Sequence, residues 1–283
     1  MAGTGENDGP SGPEIAEGIQ SLHHRIDELH RLVAQRLEAE GVQAGAWLHS
    51  AAGVVHQRPS RPAWRRKTQG ERRWPVAITT ALGITLQVFV PDKLTLVSPT
   101  WILPAAQGAL LVVLVTVNPK RIDRQSRAMR MLSLALAGLL SLANGWSVAR
   151  LAIDITRGSG TIGQKAGPLL ITGAVIWLTN VIAFALWYWE FDRGGPVSRA
   201  LNLKDRYPDF QYPQMVLPPE LVPADWEPGF IDYLYLAFTN ATAFSPTDVM
   251  PLSRWAKVAM TVQSVISLVT VALVVSRAVN IFP

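Results

Sequence analysis

The chain has 283 residues, of which 49% are hydrophobic and 17% charged, with a formal net charge of +5. Soluble proteins carry about 25% charged residues, so charge is depleted, most clearly after residue 74. The absence of cysteine excludes disulfides, thiolate nucleophiles and thiolate metal sites. Because the basic residues lie beside apolar segments, we expect anionic lipid headgroups, and no nucleic acid, as acidic partners.

Residues 1–63 predict a disordered N-terminal region that contains one short helix (14–40) and a linker. Within this helix, apolar residues recur at alternating spacings of four and three, and they are Ile15, Ile19, Leu22, Ile26, Leu29 and Val33. This spacing puts them on one helical face. It is typical of an amphipathic helix lying on the membrane or the protein, and also of a short coiled coil.

The region 64–192 predicts four transmembrane helices. A basic, aromatic segment that includes Arg65, Arg66 and Lys67 precedes them and is expected to contact anionic headgroups. The apolar segments are 75–90, 100–117, 131–155 and 168–191. The motif Trp187-Tyr-Trp189 predicts that the fourth helix leaves the membrane through its aromatic belt. The connection that follows, 193–228, is long for a structureless segment, so we expect it to pack on the protein.

Basic residues favour a cytoplasmic N-terminus. Seven lie between residues 58 and 73, just before the first predicted span, and five lie between the second and third, whereas Lys93 stands alone between the first and second. Acids outnumber bases in the connection, but acids contribute little to this rule. We therefore expect a multi-pass protein of the cell (cytoplasmic) membrane with its N-terminus inside.

The C-terminal unit, 229–283, predicts a short apolar helix, a polar turn and a long apolar helix. The short segment, 230–243, reaches about 21 Å, less than the ~30 Å hydrocarbon layer. Irregular backbone at membrane depth is tolerated only where protein or a water-filled cavity satisfies it, as in a re-entrant pore loop. With the long helix from 252 to about 276, the chain is predicted to be an all-α integral membrane protein of five transmembrane helices plus a re-entrant pore helix.

An aromatic-rich stretch that starts at Tyr233 runs into Thr242-Ala-Phe-Ser-Pro-Thr-Asp248, and Pro251 and Lys257 follow. This order resembles the pore unit of the tetrameric potassium-type channels, with 168–191 as the outer helix. In the resemblance, Thr242 stands at the first filter threonine and Asp248 at the acid that closes the filter. The resemblance implies a homotetramer whose filter is formed by Thr242, Ala243, Phe244, Ser245, Pro246, Thr247 and Asp248.

The filter departs from the family in its backbone chemistry. A potassium filter needs glycines for its stacked carbonyls, but Ser245 and Thr247 occupy those positions here. Pro246 stands at the tyrosine position, where it fixes φ and removes an N–H group. The available ligands are therefore the hydroxyls of Thr242, Ser245 and Thr247 and a ring of Asp248 carboxylates. Such a ring favours cations, and monovalent cations are the expected permeant ions.

Two groups of residues have structural alternatives. Asp248 lines the pore, or it caps the final helix or pairs with Arg254 or Lys257. The final helix also carries one polar stripe, which lines the pore or joins helices by hydrogen bonds. The stripe consists of Gln263, Ser267 and Thr270. Near the end of the third span, Arg150 and Asp154 lie one turn apart and are expected to pair.

The sequence offers no carboxylate dyad, nucleophile triad or metal cluster, so no enzyme activity, cofactor or metal is expected. It predicts a cation-permeable homotetrameric channel with a filter unlike that of potassium channels. The alternative is a non-conducting integral membrane protein that keeps the pore-type fold for assembly, lipid binding or partner docking. A transporter is disfavoured because no inverted repeat is apparent.

Overall fold

The computed structural model describes residues 24–32, 35, 62–122, 127–157, 165–202, 207–242 and 248–281. The chain divides into two units, Met1–Ser60 and Arg61–Pro283. In the first unit, residues 24–32 are helical, and Ile26 and Leu29 are exposed. The other positions of the predicted heptad pattern, Ile15, Ile19, Leu22 and Val33, lie outside the described residues.

The second unit is mostly helical, which confirms the all-α class in its coarse form. Its helices are α1 (Arg73–Val88), α2 (Ile102–Val117), α3 (Arg127–Arg157), α4 (Ala166–Phe191), α5 (Pro196–Leu201), α6 (Phe230–Thr242) and α7 (Arg254–Ile281). Two antiparallel strand pairs accompany them, and these are β1 (Glu71–Arg72) with β2 (Arg121–Ile122) and β3 (Phe210–Gln211) with β4 (Met250–Pro251).

Three helical stretches of the described chain are long and apolar enough to cross a membrane. They are α3, the stretch Ala166–Leu201 that contains α4 and α5, and α7. α1 and α2 have 16 residues each, about 24 Å at ~1.5 Å per residue, which is shorter than the ~30 Å hydrocarbon layer. These three helices indicate a helical membrane protein, while crossings by α1 and α2 stay a prediction.

At one end of the second unit, α1 and α7 begin and α2 and α4 end. We call it the connection end, because residues of the connection, 193–228, pack there. The pairing of β1 with β2 brings the start of α1 beside the end of α2. The indole nitrogen of Trp189, near the end of α4, donates to Glu71 of β1 at 2.6 Å. The pairing of β3 with β4 then brings the connection beside the start of α7. α4 is the central helix, because it packs against α1, α3, α6 and α7.

Two local expectations are wrong. Tyr188 and Trp189 are fully buried rather than placed in an aromatic belt, because the connection and α6 cover the end of α4. Arg150 and Asp154 form no salt bridge with each other. The guanidinium of Arg150 instead lies 6.0 Å from the ring centre of Trp146, a distance typical of a weak cation–π contact.

Candidate functional site

α6 begins at the connection end, where Phe230 and Tyr233 of its first turn are buried. Phe230 packs edge-on against Trp189, with ring centres 5.9 Å apart. One turn later, the hydroxyl of Tyr233 donates to the carboxylate of Asp192 at 2.5 Å. Asp232 accepts a hydrogen bond from the backbone N–H of Gly229 at 2.8 Å, which places a carboxylate at the positive end of the helix dipole.

α6 ends about halfway along its two neighbours. It has 13 residues, a length of about 20 Å at ~1.5 Å per residue. The carbonyl oxygen of Ala241 accepts a hydrogen bond from Ser267, in the middle of the 28-residue α7, at 2.6 Å. It also accepts one from the indole nitrogen of Trp177, near the middle of α4, at 3.4 Å. The last turn of α6 is therefore held at mid-length of both long helices.

The chain after α6 returns to the end from which α6 started. Residues 243–247 lie outside the described residues, and the description resumes at Asp248. Met250–Pro251 then pair with Phe210–Gln211, and the backbone N–H of Leu252 donates to the carbonyl of Asp209 at 2.8 Å. The path from Phe230 to Leu252 thus begins and ends at the connection end.

Gln263 joins three helices at one buried point. Its side chain is fully buried, and its amide nitrogen donates to the carbonyl of Ala237 in α6 at 2.8 Å. Its amide oxygen accepts from the hydroxyl of Tyr188 in α4 at 2.6 Å and from the amide of Asn240 in α6 at 2.7 Å. Every hydrogen bond of this side chain therefore holds α6 against α4 and α7.

The other two residues of the polar stripe are also buried inside the subunit. Ser267 binds α6, whereas the hydroxyl of Thr270 donates to the carbonyl of Ile266 in its own helix at 2.7 Å. Gln263 and Ser267 therefore join α7 to α6, whereas the hydrogen bond of Thr270 stays within α7. Arg254 and Lys257 are exposed at the start of α7. Further along this helix the exposed large side chains are apolar, and they are Val258, Val262, Val265, Leu268, Val269, Val275 and Val279.

The structure describes only the two ends of the predicted filter. The hydroxyl of Thr242 donates to the carbonyl of Thr239 in its own helix at 2.7 Å. Ala243, Phe244, Ser245, Pro246 and Thr247 lie outside the described residues. Asp248 is exposed, and it takes part in neither of the two salt bridges found in the described part of the chain. The cap of α7 is Ser253, whose hydroxyl accepts from the N–H of Ala256 at 3.4 Å.

Near the start of α6, the buried carboxylate of Asp192 and the half-buried carboxylate of Asp209 tie the connection to the long helices. Asp192 accepts from Tyr233 and from the backbone N–H of Asp209 at 2.8 Å, and its side chain is fully buried. Asp209 accepts from the backbone N–H of Arg193 at 2.8 Å and from the indole of Trp255 in α7 at 2.7 Å. The guanidinium of Arg193 also forms a salt bridge with Asp192 at 3.5 Å. Aspartates are rarely buried unless every oxygen has a partner, and these two carboxylates meet that requirement from five donors.

Arg199 of α5 forms the second half of this buried network. Its guanidinium makes a salt bridge with Glu71 at 2.6 Å and donates to the backbone carbonyls of Trp189 and Asp192. It also lies over the ring of Tyr233, 5.0 Å from its centre. The network therefore links β1, α4, α5 and α6. This network was not predicted from the sequence, although the acids beside aromatic residues at the end of α4 are a visible signal.

Comparison of the chain with protein family models, with curated proteins and with solved structures finds no match. Across the described ranges, no three His, Asp or Glu side chains are grouped closely enough to hold a metal ion. What the fold defines is a class: a mostly helical protein with three helices long and apolar enough to cross a membrane.

Proposed function

We propose that the chain is one subunit of a cation-permeable homotetramer in the cell membrane. In this proposal α6 is a re-entrant helix, and Thr242–Asp248 with α7 completes the pore unit. The observation that carries the proposal is the path of α6, which stops at mid-length of α4 and α7 before the chain returns to the same end. One such loop cannot enclose a pore, whereas four copies around an axis can.

The order of the helices supports the same topology. α1 and the apolar α2 are antiparallel, and α3 and α4 follow as long helices in opposite directions. With α7, the chain then makes five crossings, and the N-terminus and the connection end share one side of the membrane. The basic residues around β1 and β2 favour the cytoplasmic side for this end. Arg65, Arg66 and Lys67 are exposed there, where anionic headgroups would contact them.

Charge placement supports cations as the permeant ions. The C-terminal end of α6 carries the negative end of the helix dipole to mid-membrane depth. Asp248 is exposed, and in the described part of the chain it has no cationic partner within salt-bridge distance. In a fourfold assembly, four such carboxylates would form an acidic ring, which favours cations.

Exposed apolar surface supports assembly. Ile231, Tyr235 and Phe238 lie at spacings of four and three, so they share one face of α6, and each is about half exposed. Contiguous exposed apolar surface marks sites of protein or membrane contact. In the proposed tetramer, this face of α6 contacts the neighbouring subunit.

Cation flux from liposomes tests the proposal. Wild-type protein is expected to release a monovalent cation, and Asp248→Asn is expected to lower the rate because the acidic ring is lost. Asp225→Asn is the matched control, since Asp225 is an exposed acid of the connection outside the pore unit. An equal rate in all three proteins would remove Asp248 from the ion path.

The burial of the polar stripe favours a second candidate, a non-conducting membrane protein that keeps the pore-type fold for assembly, lipid binding or partner docking. With Gln263, Ser267 and Thr270 turned inward, the exposed large side chains of α7 between Val258 and Val279 are apolar, and apolar constrictions stop ions by dewetting. A tetramer that shows no flux at any tested pH, voltage or membrane tension would select this candidate over the channel.

A further inference from the structure

A cavity lies between α3, α4 and α7. Its volume is about 400 Å³, within the range of ~300–1,000 Å³ that is usual for small-molecule sites. Aromatic side chains line the part nearest the connection end, and these are Phe184, Trp187, Phe191 and Trp255. Among the described residues, no Asp, Glu, Lys or Arg lines the cavity. This lining excludes a charged ligand, because its charge would be buried without a partner.

Two asparagines from facing helices give the cavity its polar point. Asn180 of α4 and Asn144 of α3 both line it, and their exposed fractions are 2% and 5%. The amide nitrogen of Asn180 is buried and has no hydrogen-bond partner in the described part of the chain. A buried donor without a partner is costly, so a ligand that brings an acceptor gains that hydrogen bond.

The other polar groups of the lining do not compete for this role. The indole of Trp187 already donates to the hydroxyl of Ser141 at 2.7 Å. Gly145 leaves space at the exposed side of the cavity, because a Cβ atom built there meets no heavy atom within 4 Å. A molecule dissolved in the surrounding lipid could therefore enter between α3 and α7.

We propose that this cavity binds a neutral, membrane-dissolved molecule with an apolar body and a carbonyl group that accepts a hydrogen bond from Asn180. The aromatic side chains pack against the body, and the amide of Asn180 orients the carbonyl. The inference depends on the cavity alone, so it holds for a conducting and for a non-conducting protein.

Two probes of similar shape test the proposal. Decylubiquinone has a ring with carbonyl groups and a ten-carbon chain attached to that ring. Decylbenzene has no hydrogen-bond acceptor. The full chain in lipid nanodiscs is titrated with each probe, expressed as a mole fraction of the lipid, and its thermal midpoint is followed. In wild-type protein, decylubiquinone is expected to raise the midpoint to a plateau, as a ligand of the folded state does, and decylbenzene is expected to raise it less.

Asn180→Leu approximately keeps the volume of the side chain and removes the hydrogen-bond donor. The apparent affinity of this variant for decylubiquinone is therefore expected to fall about tenfold or more, until it equals the affinity for decylbenzene. Gly145→Leu fills the entrance and is expected to abolish both plateaus. Gly138→Leu is its matched control on the same helix, because it is also open at Cβ and does not line the cavity. It is expected to behave as wild type.

Several results would overturn the proposal. Equal plateaus for the two probes in wild-type protein would show that Asn180 does not recognise the carbonyl group. An unchanged decylubiquinone plateau in Asn180→Leu would show the same. No plateau with either probe would mean that water alone occupies the cavity. A Gly145→Leu variant that also loses its oligomeric mass, while Gly138→Leu keeps it, would assign the cavity to a helix of a neighbouring subunit.

Discussion

The hydroxyl of Ser267 donates a hydrogen bond to the carbonyl oxygen of Ala241, 2.6 Å away, and so joins the middle of α7 to the last turn of α6. The last carbonyls of any helix have no partner within that helix. Here the partner comes from a second helix, the long apolar α7, which allows α6 to end inside the protein. The depth at which α6 ends is therefore set by a side chain of α7.

Ser267→Ala is expected to weaken this attachment. The loss should be about 1 kcal/mol of unfolding free energy, because Trp177 still donates to the same carbonyl. The measurement is thermal or denaturant unfolding in detergent. Thr261→Ala is the matched control, since the hydroxyl of Thr261 is exposed and binds only its own helix. An equal loss in both variants would contradict a special role for Ser267.

Glu71→Gln is expected to be far more destabilising than a surface charge change. It breaks the buried salt bridge to Arg199 and leaves the guanidinium without its anionic partner, at a cost of about 3–5 kcal/mol. Unfolding of Glu220→Gln, an exposed acid of the connection, provides the comparison. If the two variants unfold alike, the link between β1 and α5 contributes little to stability.

Gly173→Ala is expected to push α4 away from α7. A Cβ at position 173 would lie 2.8 Å from both methyl groups of Val274, and such overpacking costs about 1–3 kcal/mol. Gly167→Ala on the same helix meets no atom within 4 Å and should be close to neutral. Adding Val274→Ala should recover part of the loss. Failure of that rescue would contradict the proposed contact.

Glu227 predicts a pH dependence of stability. Burial raises the pKa of Glu227 above its ordinary value of 4.5, and the nearby carboxylate of Glu71 raises it further. The folded state therefore binds the proton of the Glu227 carboxyl more tightly than the unfolded state does. The stability that this protonation contributes is lost as pH rises from 4.5 through the raised pKa. Glu227→Gln should lack this loss. Parallel stability curves of the two proteins in that interval would contradict the prediction.

The long apolar helices could be predicted from the sequence because their ends carry visible signals. The segment predicted at 168–191 is observed as α4, Ala166–Phe191, and the short segment 230–243 is observed as α6, Phe230–Thr242. In each case an apolar run ends at charged, glycine or proline residues, and these residues mark helix boundaries wherever the helix packs.

The contacts that position α6 could not be predicted, because they join residues that lie far apart in the chain. Trp189 and Glu71 are 118 positions apart, and Tyr233 and Asp192 are 41 apart. Helical spacing also shows that Gln263 and Ser267 share a face, but not which neighbour that face meets. From the sequence, the polar face of α7 could line a pore or contact a neighbouring helix. In the subunit, Gln263 and Ser267 on this face contact α6.

The central claim is that the chain enters the membrane at α6 and returns to the same side, and cysteine labelling tests it most directly. The chain has no cysteine, so Asp225→Cys, Asp248→Cys and Asp92→Cys each introduce a single thiol at an exposed position. Oriented membranes are treated with a membrane-impermeant maleimide from one side at a time. We predict that positions 225 and 248 react from the same side and position 92 from the other. Reaction of positions 225 and 248 from opposite sides would mean that α6 crosses the membrane, and would contradict the proposed pore unit.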